Sequence, residues 1–180
     1  MTTLIIDTKK TAVYTDGRMT SNDSILGEKT QKCWSVAWCS PTALRKQRCM
    51  ITGAGDWGLI GILREWLRTG DENFLLWCAA HNFNILPEAT AGVYVLTEAG
   101  EVWLFMPPFY RPELHVPESR YICDGSGYMA AQAALLALGD AHATQALKIA
   151  KKLDMGSGGC LSRYSLAKDG SLKQEIIEDC

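Results

Sequence analysis

The chain has 180 residues, 47% of them hydrophobic and 21% charged, with a formal net charge of -2. That length suits one domain with a sizeable core, and the near-neutral charge excludes a field strong enough to gather nucleic acid or an anionic membrane. The longest apolar runs, 59–62 and 129–138, are too short for a bilayer span, and polar residues from Asp7 onward give no expectation of a signal peptide.

Thr3-Leu4-Ile5-Ile6-Asp7 reads as a buried strand. Thr11-Ala12-Val13-Tyr14-Thr15 follows after a Lys9-Lys10 turn, and the two predict a hairpin ended by Asp16-Gly17-Arg18. Residues 33–39 and 48–52 predict a second antiparallel pair, joined by a polar loop containing Pro41. The basic run Arg45-Lys46-Gln47-Arg48 reads as a solvated part of that loop. Gly53-Ala54-Gly55-Asp56 reads as a strand-to-helix turn, with Asp56 placed to cap a helix over 57–68. In that helix Leu59, Ile60, Leu63, Trp66 and Leu67 recur at helical spacing. Gly70-Asp71 ends it, and 72–82 predicts another helix.

Segments 92–96 and 101–105 flank Thr97-Glu98-Ala99-Gly100, a hairpin signal, and the stretch from Pro107-Pro108 to Pro117 reads as an extended loop. Tyr121-Ile122-Cys123 is a short strand leading through Asp124-Gly125-Ser126-Gly127 into a helix over 128–138. A further helix over 141–153 ends at Asp154, and strands over 160–166 and 172–177 close the chain around Asp169-Gly170. The order predicts one α+β domain over 1–180, a four-layer αββα sandwich with helices outside two antiparallel sheets. Trp57, Trp66 and Trp77 are candidates either for its core or for contacts between subunits.

Seven cysteines without a Cys-x-x-Cys predict reduced thiols and a cytoplasmic protein. His81, His115 and His142 share no metal-ligand spacing, which disfavours a zinc site or a Cys–His nucleophile.

The chemical signal begins at Met1-Thr2-Thr3. Removing Met1 would leave Thr2 with a nucleophilic hydroxyl and a free α-amine on one residue. The amine, with an ordinary pKa of about 7.7–8.0, can act as a base near neutrality. Taken singly, the other candidates have plain structural uses. Asp16-Gly17 is a common turn pair, Lys29 a surface lysine, Ser126 a helix cap, Asp154 a helix end, and Ser157-Gly158-Gly159 a turn.

Taken together, Thr2-Thr3, Asp16-Gly17-Arg18, Lys29, Ala54-Gly55, Gly125-Ser126-Gly127 and Asp154-Met155-Gly156-Ser157-Gly158-Gly159 resemble, in order and spacing, the proteasome β-subunit family. That family includes the bacterial peptidase HslV, and both are N-terminal nucleophile (Ntn) hydrolases. The resemblance implies a threonine-type endopeptidase of that fold. Thr2 falls at the nucleophile, Lys29 at the lysine that lowers the amine's pKa, and Asp16 at the aspartate that holds that lysine. Ser126 falls at the serine near the amine, Asp154 and Ser157 at partners of the same end, and Gly55 at the oxyanion hole. The interval from Asp16 to Lys29 is shorter than the family's, which makes Lys32 the runner-up.

By the same resemblance Met19, Gly27, Gly53 and Trp57 line a substrate pocket for an apolar side chain. The backbone carbonyls of Ser157, Cys160 and Arg163, on a loop over 157–163, bind a monovalent or similar cation, and no cofactor is needed for the chemistry. The expected assembly is a homo-oligomer of stacked hexameric or heptameric rings, fed polypeptide substrates by a ring ATPase. The alternatives are an inactive assembly subunit of the same fold and an Ntn amidohydrolase acting on a small amide.

Overall fold

The structure, a computed structural model, describes residues 2–21, 24–71, 73–85, 90–108, 110–139 and 142–180. The removal of Met1 and the expected helix starts at Glu72 and Ala141 fall outside these residues.

The chain begins with β1 (Thr3–Asp7), β2 (Ala12–Asp16), β3 (Met19–Ser21), β4 (Ser24–Gly27), β5 (Cys33–Trp38) and β6 (Gln47–Gly55). Helices α1 (Trp57–Thr69) and α2 (Phe74–Ala80) follow, then β7 (Ala91–Thr97), β8 (Val102–Phe105), β9 (Pro112–His115) and β10 (Tyr121–Gly125). Helices α3 (Tyr128–Leu138) and α4 (Ala143–Leu153) precede β11 (Leu161–Leu166) and β12 (Leu172–Glu178). Among the described residues the result is an α+β fold of four helices and two five-stranded antiparallel sheets, ordered β10-β1-β2-β11-β12 and β5-β6-β7-β8-β9, with β3-β4 as a separate hairpin.

Three buried clusters account for the layering. Strand β1 is buried throughout, with Leu4, Ile5 and Ile6 as its apolar centre, because both its faces are covered. Ile5 packs with Ala131, Leu135, Ala146 and Leu147 of α3 and α4. Leu4 and Ile6, on the other face, join Met50, Tyr94 and Leu96 from the second sheet. The far side of that sheet presents Ile51, Val93 and Val95 to Leu59, Leu63, Trp66 and Leu67 of α1. Trp66 and Trp77 are buried in this last cluster, and Trp57 packs partly buried against it.

Helix α1 starts where Asp56 accepts a hydrogen bond from the Leu59 N–H at 2.8 Å, and it ends at Gly70 in the left-handed conformation. Asn73 caps α2 in the same way, by accepting from the Leu76 N–H at 3.1 Å. Helix α4 buries Ala143, Ala146, Leu147 and Ala150 on one stripe.

The fold corrects several expectations. Gly53-Ala54-Gly55 is not a turn but the end of β6, paired with β7 up to Gly55 opposite Ala91. The stretch after Pro108 contains β9, paired with β8, and its polar sequence conceals an exposed edge strand opened by Pro112. The β3–β4 hairpin has no apolar alternation to announce it. Cys160 and Cys180 form a disulfide, against the expectation of reduced thiols. Antiparallel β12 folds back along β11 and brings the two Cα atoms within 4.5 Å. Cys33, Cys39, Cys49, Cys78 and Cys123 are free. The disulfide removes the premise from which a cytoplasmic location is inferred. Among the described residues no helix is long and apolar enough to cross a membrane.

Candidate active site

The start of β1 lies between β10 on one side and β2 on the other, opposite Gly125 and Thr15 respectively. This pairing puts Thr2 beside the ends of both neighbours, and Thr2 is buried. Asp16, the last residue of β2, is fully buried and accepts three hydrogen bonds. Its Oδ1 takes the Thr3 N–H at 3.0 Å and the Lys32 ammonium at 2.9 Å, and its Oδ2 takes the Gly158 N–H at 2.8 Å. Lys32, 1% exposed, donates in addition to Thr2 Oγ1 and to the Arg18 carbonyl. Burial pushes the Lys32 ammonium's pKa down, and the charge of Asp16 opposes that shift.

Lys29 is therefore not the lysine of this site. Its side chain is 72% exposed and pairs at 3.3 Å with Asp179, itself at the surface. Lys32 holds the inner position because it immediately precedes β5. The Lys32 carbonyl accepts from Thr52 Oγ1 of β6 at 2.8 Å, which anchors the backbone while the ammonium turns inward.

Ser126 follows β10. It does not cap α3, whose cap position is Gly127. Its hydroxyl donates to Asp154 Oδ2 at 2.6 Å and lies 3.4 Å from the Thr2 carbonyl. Asp154 ends α4 and gathers three donors: Ser126, Ser157 Oγ at 2.5 Å and the Gly156 N–H at 3.2 Å. Ser157 also contacts Thr3 Oγ1. Partial burial of Asp154 works against its ionisation, but these hydrogen bonds outweigh it and hold the carboxyl below its ordinary pKa of 3.8.

A carboxylate so favoured stabilises the fold fully above pH 3.8 and loses that contribution as pH falls through its lowered folded value. Asp154→Asn should therefore cost on the order of 1 kcal/mol in urea unfolding at pH 7, after allowance for its partial exposure. The gap to wild type should narrow at about pH 3. A gap independent of pH would show that the ionised form is not what Ser126 and Ser157 hold.

Thr2 opens onto a cleft of about 630 Å³, whose lining includes Gly55, Gly92, Tyr94, Met106, Asp124 and Ser126. Gly55 has φ +113, and a side chain there would run into the Thr90 carbonyl, so the close approach of β7 demands glycine. The expected pocket residues lie elsewhere. Met19 and Gly27 face each other across the β3–β4 hairpin. Gly53 is buried against Val93 and Ile60, on the α1 side of its sheet. Trp57 packs against Trp34, with ring centres 5.0 Å apart and planes tilted by 45°.

The expected carbonyl cradle is also divided. Arg163 sits inside β11, paired to β2 and β12, where its backbone belongs to the ladder rather than to the loop of Ser157 and Cys160. Cys160, Asp179 and Cys180 cluster closely, but the two sulfurs are bonded to each other and are not available as metal ligands.

The structure thus brings together Thr2, Asp16, Ser126, Asp154, Ser157 and Gly55, and it substitutes Lys32 for Lys29. Sequence reasoning missed Arg18 as the third acceptor for Lys32, because a backbone carbonyl leaves no mark in sequence. It also missed Asp124, which reads there only as part of a turn. The chain matches no protein-family model, and a comparison with curated proteins finds no match either.

Proposed function

We propose that the chain is a threonine-type peptidase of the Ntn-hydrolase class, with Thr2 as nucleophile once Met1 has been removed. The observation that carries this reading is the buried contact of the Lys32 ammonium with both Thr2 Oγ1 and Asp16. A lysine is costly to bury, and here its charge is aimed at a hydroxyl. A cation so placed favours the alkoxide-like character that Thr2 Oγ1 needs to attack a carbonyl.

In this mechanism the Thr2 α-amine takes the hydroxyl proton, directly or through a water ordered by Ser126. Oγ1 adds to the scissile carbonyl, and the tetrahedral oxyanion is held by backbone N–H groups near Gly55. Collapse expels the amine half of the substrate with the proton and leaves an ester on Thr2. Water then adds to that ester, releasing the acyl half as a carboxylic acid and regenerating the Thr2 hydroxyl. Asp16 keeps Lys32 charged and fixed, while Asp154 orients Ser126 and Ser157.

The proposal extends to a homo-oligomeric ring that encloses the site and is fed unfolded polypeptide by a ring ATPase. The exposed apolar residues Met129 and Leu136 on α3 support such a contact face. Thr2→Ala tests the chemistry, since it keeps a small residue after Met1. Hydrolysis of short fluorogenic peptides should fall to background, while equal rates in the two proteins would reject Thr2 as nucleophile. Active wild-type preparations should have lost Met1 by intact mass. Light scattering should find a ring, and a strict monomer at micromolar concentration would count against a caged protease.

A further inference from the structure

The cleft at Thr2 has an electrostatic character that the hydrolytic machinery does not use. Asp124 is the one charged side chain among the described residues that line it. Asp124 lies on β10 opposite Leu4, so its side chain shares the face that looks into the space between the sheets. Its Oδ1 accepts the Gly125 N–H at 2.6 Å, and its charge acts on the nearby Tyr94 hydroxyl. Burial, and then the Asp124 charge, push the Tyr94 pKa up, so the phenol stays neutral and adds no second negative charge to the cleft.

Space above the carboxylate is kept open by a glycine. A side chain at Gly92 would stand 3.2 Å from Asp124 Oδ2 and 3.3 Å from Met106 Sδ. Leu104, Met106, Pro107 and Tyr128 give the remaining walls apolar surface. A cleft with apolar walls and one carboxylate suits a side chain with a long aliphatic stem and a cationic tip. In a cleft with few other charges, the field of a single carboxylate reaches a ligand with little competition.

We infer that Asp124 is a specificity-determining residue, and that the cleft selects peptides carrying lysine or arginine close to the bond presented to Thr2. This inference rests on the peptidase reading for its substrate class but makes a binding claim of its own. It gives Asp124 no part in bond breaking. It also replaces the apolar preference expected from Met19 and Trp57, neither of which lines this cleft.

The test is a binding measurement on the full-length Thr2→Ala chain, which separates recognition from turnover. Fluorescence anisotropy compares peptides of one frame that carry lysine, norleucine or glutamate at each position in turn. At one position the lysine peptide should bind about tenfold tighter than the norleucine peptide, with glutamate weakest and with the lysine advantage shrinking as salt is raised. Adding Asp124→Asn should remove the preference while leaving norleucine binding in place. Equal binding of lysine and norleucine peptides by the Thr2→Ala chain would overturn the inference without need of any Asp124 variant. A preference that survives Asp124→Asn would overturn it as well. Failure of the peptidase reading looks different: hydrolysis by wild type and Thr2→Ala would be equal, whatever the anisotropy series gave.

Discussion

Lys32→Met should destabilise the chain by about 3–5 kcal/mol in urea unfolding, because it leaves the Asp16 carboxylate buried with its cationic partner gone. Two backbone N–H donors, from Thr3 and Gly158, would remain to Asp16. They orient the carboxylate but do not neutralise it. For a chain of this size such a loss lowers the thermal midpoint by roughly 6–20 °C. Lys29→Met should leave the midpoint unchanged, since the Lys29–Asp179 pair is open to solvent on both sides. The contrast separates two lysines three residues apart that sequence alone ranks in the opposite order.

The double variant Asp16→Asn with Lys32→Met makes the argument quantitative. If the cost of Lys32→Met comes from the stranded carboxylate, removing that charge recovers much of it, and the two substitutions are strongly non-additive. Under the proposed mechanism the peptide hydrolysis that depends on Thr2 should also fall by about 10²–10³ with Lys32→Met. An unfolding midpoint that moves with Lys29→Met and not with Lys32→Met would refute the assignment.

The error over the lysine shows where sequence reading stops. Strands β1 and β2, helix α1, and helix α3 were legible because burial on two faces, helical spacing and the alanine-rich run are properties of single segments. The layering followed from their order. Lys32, by contrast, is distinguished only by what surrounds it: the start of β5, the Thr52 hydroxyl on its carbonyl, and Arg18 and Asp16 at its tip. The spacing from Asp16 did point toward Lys32, and it was the one usable signal. The same limit explains the pocket. Gly53 and Ala54 are neighbours in β6, but pleating sends Gly53 toward α1 and Ala54 into the cleft, a distinction that depends on strand register. Reading the segment as a turn hid that alternation. Asp124 escaped notice for a third reason. A carboxylate beside a glycine is an ordinary turn pair until the second sheet brings Tyr94 and Gly92 against it.

Gly125→Ala should cost about 2–5 kcal/mol, the combined effect of left-handed backbone strain and overpacking. Gly125 has φ +86, and a methyl group there would collide with the Thr2 carbonyl. That obstacle is backbone and cannot swing aside as a long side chain could. Relief requires β10 and the segment around Thr2 to separate, and the first residues displaced are the proposed nucleophile and Ser126. A shift of Thr2 by about 1 Å is enough to reduce hydrolysis some 10²-fold. Gly100→Ala provides the comparison. Gly100 also has positive φ, at +83, but a methyl there meets nothing closer than the Thr8 carbonyl at 3.8 Å. It should cost only the strain, about 1–2 kcal/mol, and leave the hydrolytic rate alone. Paired urea unfolding and peptide hydrolysis on the two variants therefore divide conformational strain from contact with Thr2. If Gly125→Ala cost no more than Gly100→Ala and kept full hydrolysis that depends on Thr2, the close passage of β10 over Thr2 would not be what holds the nucleophile in place.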